Sequence, residues 1–182
     1  AAMDRKARTA EHGDMNRFAP AYPSAVFDED EVARLVVPDG PVAALGALAC
    51  RTDVPLLDHH GQPYGHVTWR VWDGPSADAP AVLLLHGGSG AWSHWVRNIP
   101  ALSASHTVLA PDTPGYGDSG HVPGGTPVSE LAQRLADTLA VVWPGDRPIT
   151  LVGFSFGGIV AGHLAALLGP RVQRLVLVGA VG

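Results

Sequence analysis

The chain has 182 residues, of which 46% are hydrophobic and 16% charged, which is typical of one globular domain with a sizeable core and excludes a disordered chain. Its 12 basic and 17 acidic residues give a net charge of −5, and the basic residues are scattered, which excludes the basic stripe of a nucleic-acid-binding protein. The single cysteine, Cys50, excludes an internal disulfide, so we expect a reduced, cytoplasmic location.

Residues 1–50 are predicted to form an N-terminal arm or extension, and residues 51–182 the core domain. Within the extension, residues 27–37 are predicted to form a short helix, because four acidic residues lie near its N-terminus, where carboxylates favour the positive end of the helix dipole. Residues 42–51 are ambiguous between helix and strand.

From residue 54 the pattern indicates strands. Residues 54–57 and 64–72 predict a hairpin, in which Val67, Trp69 and Val71 point to a buried face, and the residues that alternate with them, His66, Thr68 and Arg70, to solvent. Residues 81–85 are all apolar, as in a strand that is buried on both faces.

The rest of the chain alternates between helix and strand. Further strands are predicted at residues 107–110, 149–154 and 174–179, and helices at residues 92–102 and 156–168 and after Thr126, which is expected to cap a helix with Pro127 at its first position. This alternation predicts an α/β fold: an antiparallel hairpin, then a mostly parallel sheet with helices on both faces.

Residues 149–169 run without a charged side chain over a length that could cross a bilayer. The run contains five glycines, however, and it begins like a strand. We therefore interpret it as a buried strand, a sharp turn and a buried helix, and expect no membrane partner.

The turn in that run has the sequence Gly153-Phe154-Ser155-Phe156-Gly157. A serine held on a tight strand-to-helix turn is exposed at the edge of the sheet, and its neighbours must be small. Ser155 is thus a candidate nucleophile, close to a helix N-terminus that favours developing negative charge. The alternative is a serine that only caps the helix.

A second glycine-rich loop, His86-Gly87-Gly88-Ser89-Gly90, directly follows the strand at residues 81–85. Acyl transfer needs two N–H donors for the oxyanion, one on the residue after the nucleophile and one in such a loop. We therefore predict Phe156 and Gly88 as the two donors, with Ser89 as the less favoured alternative to Gly88. Ser89 and Trp92 are possible pocket residues. The alternatives are a turn that needs small residues only for packing, and a core position for Trp92. His86 is expected to be structural.

These two motifs and the segment at residues 112–119 between them resemble the α/β-hydrolase superfamily, over about residues 54–182. The resemblance implies a serine hydrolase acting on an ester or a related acyl or carbon–carbon substrate. Only about six of the eight strands of that fold are readable here.

The chain departs from the family in its catalytic triad. The family's order is serine, acid, histidine, but no Asp or Glu follows Ser155, and the one later histidine, His163, lies about 12 Å along the helix axis. His121, with Asp118 as a possible orienting group, is a weaker candidate base. We therefore expect a second polypeptide, most simply the C-terminal part of the same protein, to supply the acid and the histidine, and this chain alone to be inactive.

Two other classes of function stay open in the sequence. The first alternative to an enzyme is a non-catalytic binding module that keeps the fold, and the second, which the motifs favour least, is an assembly or structural fragment without a small-molecule site. No metal is predicted, because no carboxylate or cysteine pattern completes a site around His59 and His60. Neither glycine-rich loop has the dinucleotide-binding spacing, and no cofactor is expected.

Overall fold

The computed structural model of the protein describes residues 40–180, and the helix predicted at residues 27–37 lies outside this range. The described elements, in chain order, are α1 (Pro41–Ala47), β1 (Cys50–Leu57), β2 (Pro63–Trp72), β3 (Ala81–Leu85), a 3₁₀ helix (Trp92–Trp95), α2 (Ile99–Ser103), β4 (Thr107–Pro111), α3 (Val128–Val142), β5 (Ile149–Phe154), α4 (Phe156–Leu168), a 3₁₀ turn (Gly169–Arg171) and β6 (Val172–Val178). None of the helices between residues 40 and 180 combines the length and the hydropathy that a bilayer crossing requires.

The strands form one mixed sheet in the order β1-β2-β4-β3-β5-β6. β2 is antiparallel to both β1 and β4, whereas β4, β3, β5 and β6 run parallel to one another. Parallel neighbours need crossover connections, and the helices between the later strands supply them. The predicted α/β fold, with an opening hairpin followed by a mostly parallel sheet, is confirmed.

The alternation of side chains along β3 divides the core into two parts. Leu83 and Leu85 pack with α3 and α4 on one face of the sheet, whereas Val82 and Leu84 pack with α1 and the 3₁₀ helix on the other. Because both faces of the strand are covered, β3 is apolar at every position, as predicted.

The ambiguous segment at residues 42–51 contains both a helix and the start of a strand. Helix α1 ends at Ala47 and β1 begins at Cys50. Leu45 is buried in the second core, and its carbonyl oxygen accepts a 3.0 Å hydrogen bond from Nε1 of Trp72. Helix α1 therefore packs on the sheet ahead of the predicted boundary at residue 51; for residues 1–39 the predicted extension stays a prediction.

Two predicted helix limits were wrong. The helix predicted over residues 92–102 is divided into the 3₁₀ helix and α2, because the ring of Pro100 would clash with the carbonyl four residues earlier in a continuous helix. Thr126 does not cap α3: the helix begins at Val128, and the Thr126 hydroxyl donates a 2.7 Å hydrogen bond to the carbonyl of Pro123.

The predicted solvent-facing side of β2 was also wrong. Thr68 is fully buried and Arg70 is 7% exposed. The loop that follows β4 covers this side of the strand, where the backbone N–H of Thr68 donates to Oγ of Ser119 at 2.8 Å. Polar residues on β2 are thus buried because a loop distant in sequence provides their hydrogen-bond partners.

Candidate active site

Ser155 lies at the turn between β5 and α4 in a strained backbone conformation. Its φ is 52° and its ψ is −118°, a combination that costs about 1–3 kcal/mol for a residue with a side chain. The Ser155 side chain makes no capping hydrogen bond to α4. Its backbone N–H donates to the carbonyl of Val178 on β6 at 2.9 Å. The alternative that Ser155 only caps the helix therefore finds no support in the geometry.

The glycines around Ser155 are required by close backbone contacts. A Cβ on Gly153 would overlap the carbonyl oxygen of Gly157, and a Cβ on Gly157 would overlap the carbonyl oxygens of Leu85 and His86. These contacts hold the start of α4 directly against the end of β3. The Gly-x-Ser-x-Gly pattern follows from this packing.

The loop after β3 lies against the same turn. A Cβ on Gly88 would come within 3.7 Å of the Cβ of Phe156, and one on Gly87 would press on the ring of Phe154 at 2.9 Å. Phe156 is the first residue of α4, so its N–H is among those with no partner inside the helix. The structure thus brings Gly88 and Phe156 together beside Ser155.

Ser89 is the second strained residue of the site. Of the non-glycine residues between positions 40 and 180, Ser89 (φ 53°) and Ser155 have a positive φ. Ser89 is exposed, as is Gly88. Strain at both serines, on adjoining loops, is typical of functional sites.

His86 is fully buried and holds the loop to the chain after β4. Its Nδ1 hydrogen-bonds the carbonyl of Gly87 at 2.8 Å, and its Nε2 accepts the backbone N–H of Thr113 at 2.9 Å. Burial lowers the pKa of His86, so the ring is neutral with its proton on Nδ1. Both nitrogens are engaged, in agreement with the structural role expected from the sequence.

The structure corrects the pocket role predicted for Trp92. Its side chain is 7% exposed and packs in the second core, with its ring 5.4 Å from that of Trp72. The guanidinium of Arg70 lies 5.0 Å from the Trp92 ring centroid. Of the two alternatives for Trp92, the core position is the one observed.

The candidate base His121 is exposed and lines a cavity of about 330 Å³ together with Tyr116 and Phe156. The Asp118 carboxylate, considered as its orienting group, pairs with Arg51 at 3.0 Å and with Arg70. His163 is exposed on α4.

Sequence reasoning missed a buried ion pair beside the site. Asp112, 1% exposed, pairs with Arg70 at 3.0 Å and accepts the backbone N–H groups of Trp92 at 2.7 Å and Asp118 at 3.0 Å. The sequence feature that could have revealed Asp112 is an aspartate directly after a buried strand. Its partner could not be identified, because it lies 42 residues earlier in the chain.

Between residues 40 and 180, no group of three or more His, Cys, Asp or Glu side chains is arranged to hold a metal ion. His59 and His60 lie in the hairpin turn with their ring centroids 3.8 Å apart.

Comparison with known proteins identifies the family. A model of the alpha/beta hydrolase fold matches residues 80–181, more than half of the chain. The protein therefore belongs to the α/β-hydrolase family.

Individual relatives match a part of the chain. A serine hydrolase-like protein of Mus musculus is 36% identical over 121 residues, which are 63% of this chain and 36% of that protein. A 2-hydroxy-6-oxo-2,4-heptadienoate hydrolase of Pseudomonas putida is 40% identical over 105 residues, or 56% and 37% of the two chains. A solved hydrolase from Pseudomonas aeruginosa has a TM-score of 0.61 at 27% identity, covering 72% of this chain and 48% of that one. The chain thus spans less than half the length of each.

Proposed function

We propose that the protein is a serine hydrolase that works by nucleophilic acyl transfer, with Ser155 as nucleophile and the backbone N–H groups of Phe156 and Gly88 as oxyanion donors. The observation that carries this proposal is the positive φ of Ser155, at a turn packed against the loop that contains Gly88. Strain of this kind is maintained only where the surroundings impose it, and it exposes the hydroxyl at the edge of the sheet.

In the proposed reaction, Oγ of Ser155 attacks the acyl carbon and gives up its proton to a general base. The carbonyl oxygen becomes an oxyanion that the two N–H groups stabilise. The leaving alcohol takes the proton from the base, and water then hydrolyses the acyl-enzyme by the same route.

The base and the acid are proposed to lie outside these 182 residues, most simply in the C-terminal part of the same protein. No Asp or Glu follows Ser155, and His163 is exposed eight residues along α4. The chain spans only 36% and 37% of the two hydrolase relatives, which supports the same proposal.

The proposed substrates are carboxylic esters or related acyl and carbon–carbon compounds. The support comes from similar proteins: one relative is named as a 2-hydroxy-6-oxo-2,4-heptadienoate hydrolase, and a structural neighbour as an esterase of Thermogutta terrifontis, with a TM-score of 0.60 at 27% identity. A carboxylic ester and a 6-oxo dienoate each contain an electrophilic carbonyl carbon that a serine oxygen can attack.

The test is labelling by a fluorophosphonate probe, with peptide mapping of the modified residue. Denaturing mass spectrometry first establishes which polypeptides accompany the chain. In an assembly that contains the base, we expect modification at Ser155, unchanged by Ser105→Ala and abolished by Ser155→Ala. An assembly that contains the base and stays unlabelled would favour the non-catalytic binding module.

We also expect the isolated 182-residue chain to hydrolyse esters no faster than its Ser155→Ala variant, because an unassisted serine hydroxyl is a weak nucleophile at neutral pH. The measurement is the initial rate with an activated aryl ester. A faster rate in the unsubstituted chain would point to His121, which lines the cavity next to Phe156.

A further inference from the structure

We propose that His94 is a positioning residue of the oxyanion loop, which comprises residues 87–90. Its imidazole fixes the backbone of this loop and connects the loop to the turn that carries Ser155. The catalytic part of this inference rests on the proposed function, whereas the contact itself rests on geometry alone.

The first observation is a hydrogen bond from the loop to the imidazole. The backbone N–H of Gly87 donates to Nδ1 of His94 at 3.3 Å. Nδ1 must therefore be unprotonated, with the ring proton on Nε2. Gly87 directly precedes Gly88, so this bond fixes the orientation of the peptide unit next to the proposed donor.

The second observation is that Gly90 leaves space for the imidazole. A Cβ at Gly90 would overlap Cε1 of His94 and lie within 2.6 Å of Nδ1. The φ of Gly90 is not positive, so the backbone conformation does not itself require glycine. The ring of His94 on the loop explains why a side chain is excluded there.

The third observation connects the loop to the nucleophile. The rings of His94 and Phe154 meet edge to face, with their centroids 5.8 Å apart. Phe154 also packs on Gly87 and directly precedes Ser155. His94 thus contacts both sides of the proposed oxyanion site, and its exposed side chain also meets the ring of the buried His86 edge to face, with the centroids 6.1 Å apart.

The expected consequence concerns the transition state. An oxyanion donor acts where charge develops, so a displaced Gly88 lowers kcat and leaves KM nearly unchanged. Asparagine can place an amide oxygen where the histidine has Nδ1, whereas leucine has similar size and no acceptor. His94→Asn should therefore keep the hydrogen bond from Gly87 and the kcat of the unsubstituted protein. His94→Leu should lose the hydrogen bond and have a lower kcat.

The primary test is hydrogen exchange at the backbone N–H of Gly87 in the full chain, measured by NMR. We expect exchange to be about 3- to 10-fold faster in His94→Leu and close to the unsubstituted rate in His94→Asn. Gly90→Ala should accelerate exchange by displacing the ring, and should have no further effect in a His94→Ala background. Equal exchange in all variants would overturn the proposal.

The second readout is hydrolysis by the assembly that contains the base. We expect kcat to fall about tenfold in His94→Leu at constant KM and to recover in His94→Asn. If exchange depends on His94 but kcat does not, the positioning role is overturned. If Ser155 is never labelled while exchange still depends on His94, the proposed function fails and the loop contact stands.

Discussion

Gly157 and Gly162 are two glycines of the same helix, α4, with opposite surroundings. A Cβ on Gly157 would overlap two backbone carbonyl oxygens at the end of β3, whereas nothing lies within 4 Å of one on Gly162. Backbone atoms in the centre of the sheet cannot move aside as a flexible side chain can. The first glycine is therefore required for packing and the second is not.

We expect Gly157→Ala to lower the free energy of unfolding by about 3 kcal/mol, through overpacking. The matched variant Gly162→Ala should raise it by about 0.5–1 kcal/mol, because alanine loses less backbone entropy in a helix. Urea denaturation measures both changes. Similar values for the two variants would contradict the close contact between α4 and β3.

The buried imidazole of His86 is expected to make the free energy of unfolding depend on pH. Burial lowers the pKa of His86, so below about pH 6.5, the ordinary value, the unfolded chain binds a proton that the folded chain does not. The free energy of unfolding should therefore fall as the pH drops from about 6.5 towards the lowered pKa.

The check is urea unfolding at about pH 7.5 and about pH 5.5. His86→Gln should reduce the dependence of stability on pH, whatever it does to stability at pH 7.5. His163→Gln, at an exposed position on α4, serves as the control for the loss of a histidine. An unaltered dependence in His86→Gln would contradict the neutral, buried imidazole.

The loop after β4 and the polar side of β2 stabilise each other through a buried ion pair. Arg70 and Asp112 are 8% and 1% exposed in their side chains, and the Asp112 carboxylate also accepts two backbone N–H groups. Gly117 lies so close to this carboxylate that a Cβ would overlap it. The loop thus wraps around one buried charge.

We expect Asp112→Asn to lower the free energy of unfolding by about 2–3 kcal/mol, because it removes the buried anion of Arg70 and leaves the half-exposed carboxylate of Asp118 as the partner of that guanidinium. Asp137→Asn, which removes an exposed carboxylate that accepts from Gln133 on α3, should change it by less than about 0.5 kcal/mol. Thermal or urea unfolding distinguishes the two. A loss below about 1 kcal/mol for Asp112→Asn would show that the ion pair is dispensable.

Strand β6 is one of the two edge strands of the described sheet. Its apolar side chains Leu175, Val176, Leu177 and Val178 are 41–52% exposed, on both faces of the strand. An apolar edge strand presents unpaired backbone groups as a template for another strand. Under the proposed function, the further polypeptide would cover this edge.

The isolated chain is therefore expected to associate with itself through β6. The double variant Leu175→Lys, Leu177→Lys should weaken association by about tenfold or more, since burial of one leucine contributes about 1.5 kcal/mol. Leu48→Lys, at a position 76% exposed just after α1, is the control. Sedimentation velocity over a range of concentrations measures the change, and a chain that stays monomeric throughout would contradict the expectation.

Much of the fold was predictable from local pattern. The five apolar residues of β3 and the helical spacing of Leu131, Leu135 and Leu139 on α3 identify their elements, because burial on a given face depends on spacing along the chain. The Gly-x-Ser-x-Gly turn was also predictable, because the strained serine and the two glycines that its packing requires lie within five consecutive residues.

Tertiary structure decided whatever depends on partners distant in sequence. Whether Trp92 lies in a pocket or in the core depends on Trp72 and Arg70, and whether Arg70 faces solvent depends on the loop at Asp112. His94, which contacts Gly87, lies in the 3₁₀ helix, and the sequence pattern predicted this helix only as part of a longer one at residues 92–102. Spacing along the chain determines the face on which a residue lies, but only the packed structure determines what covers that face.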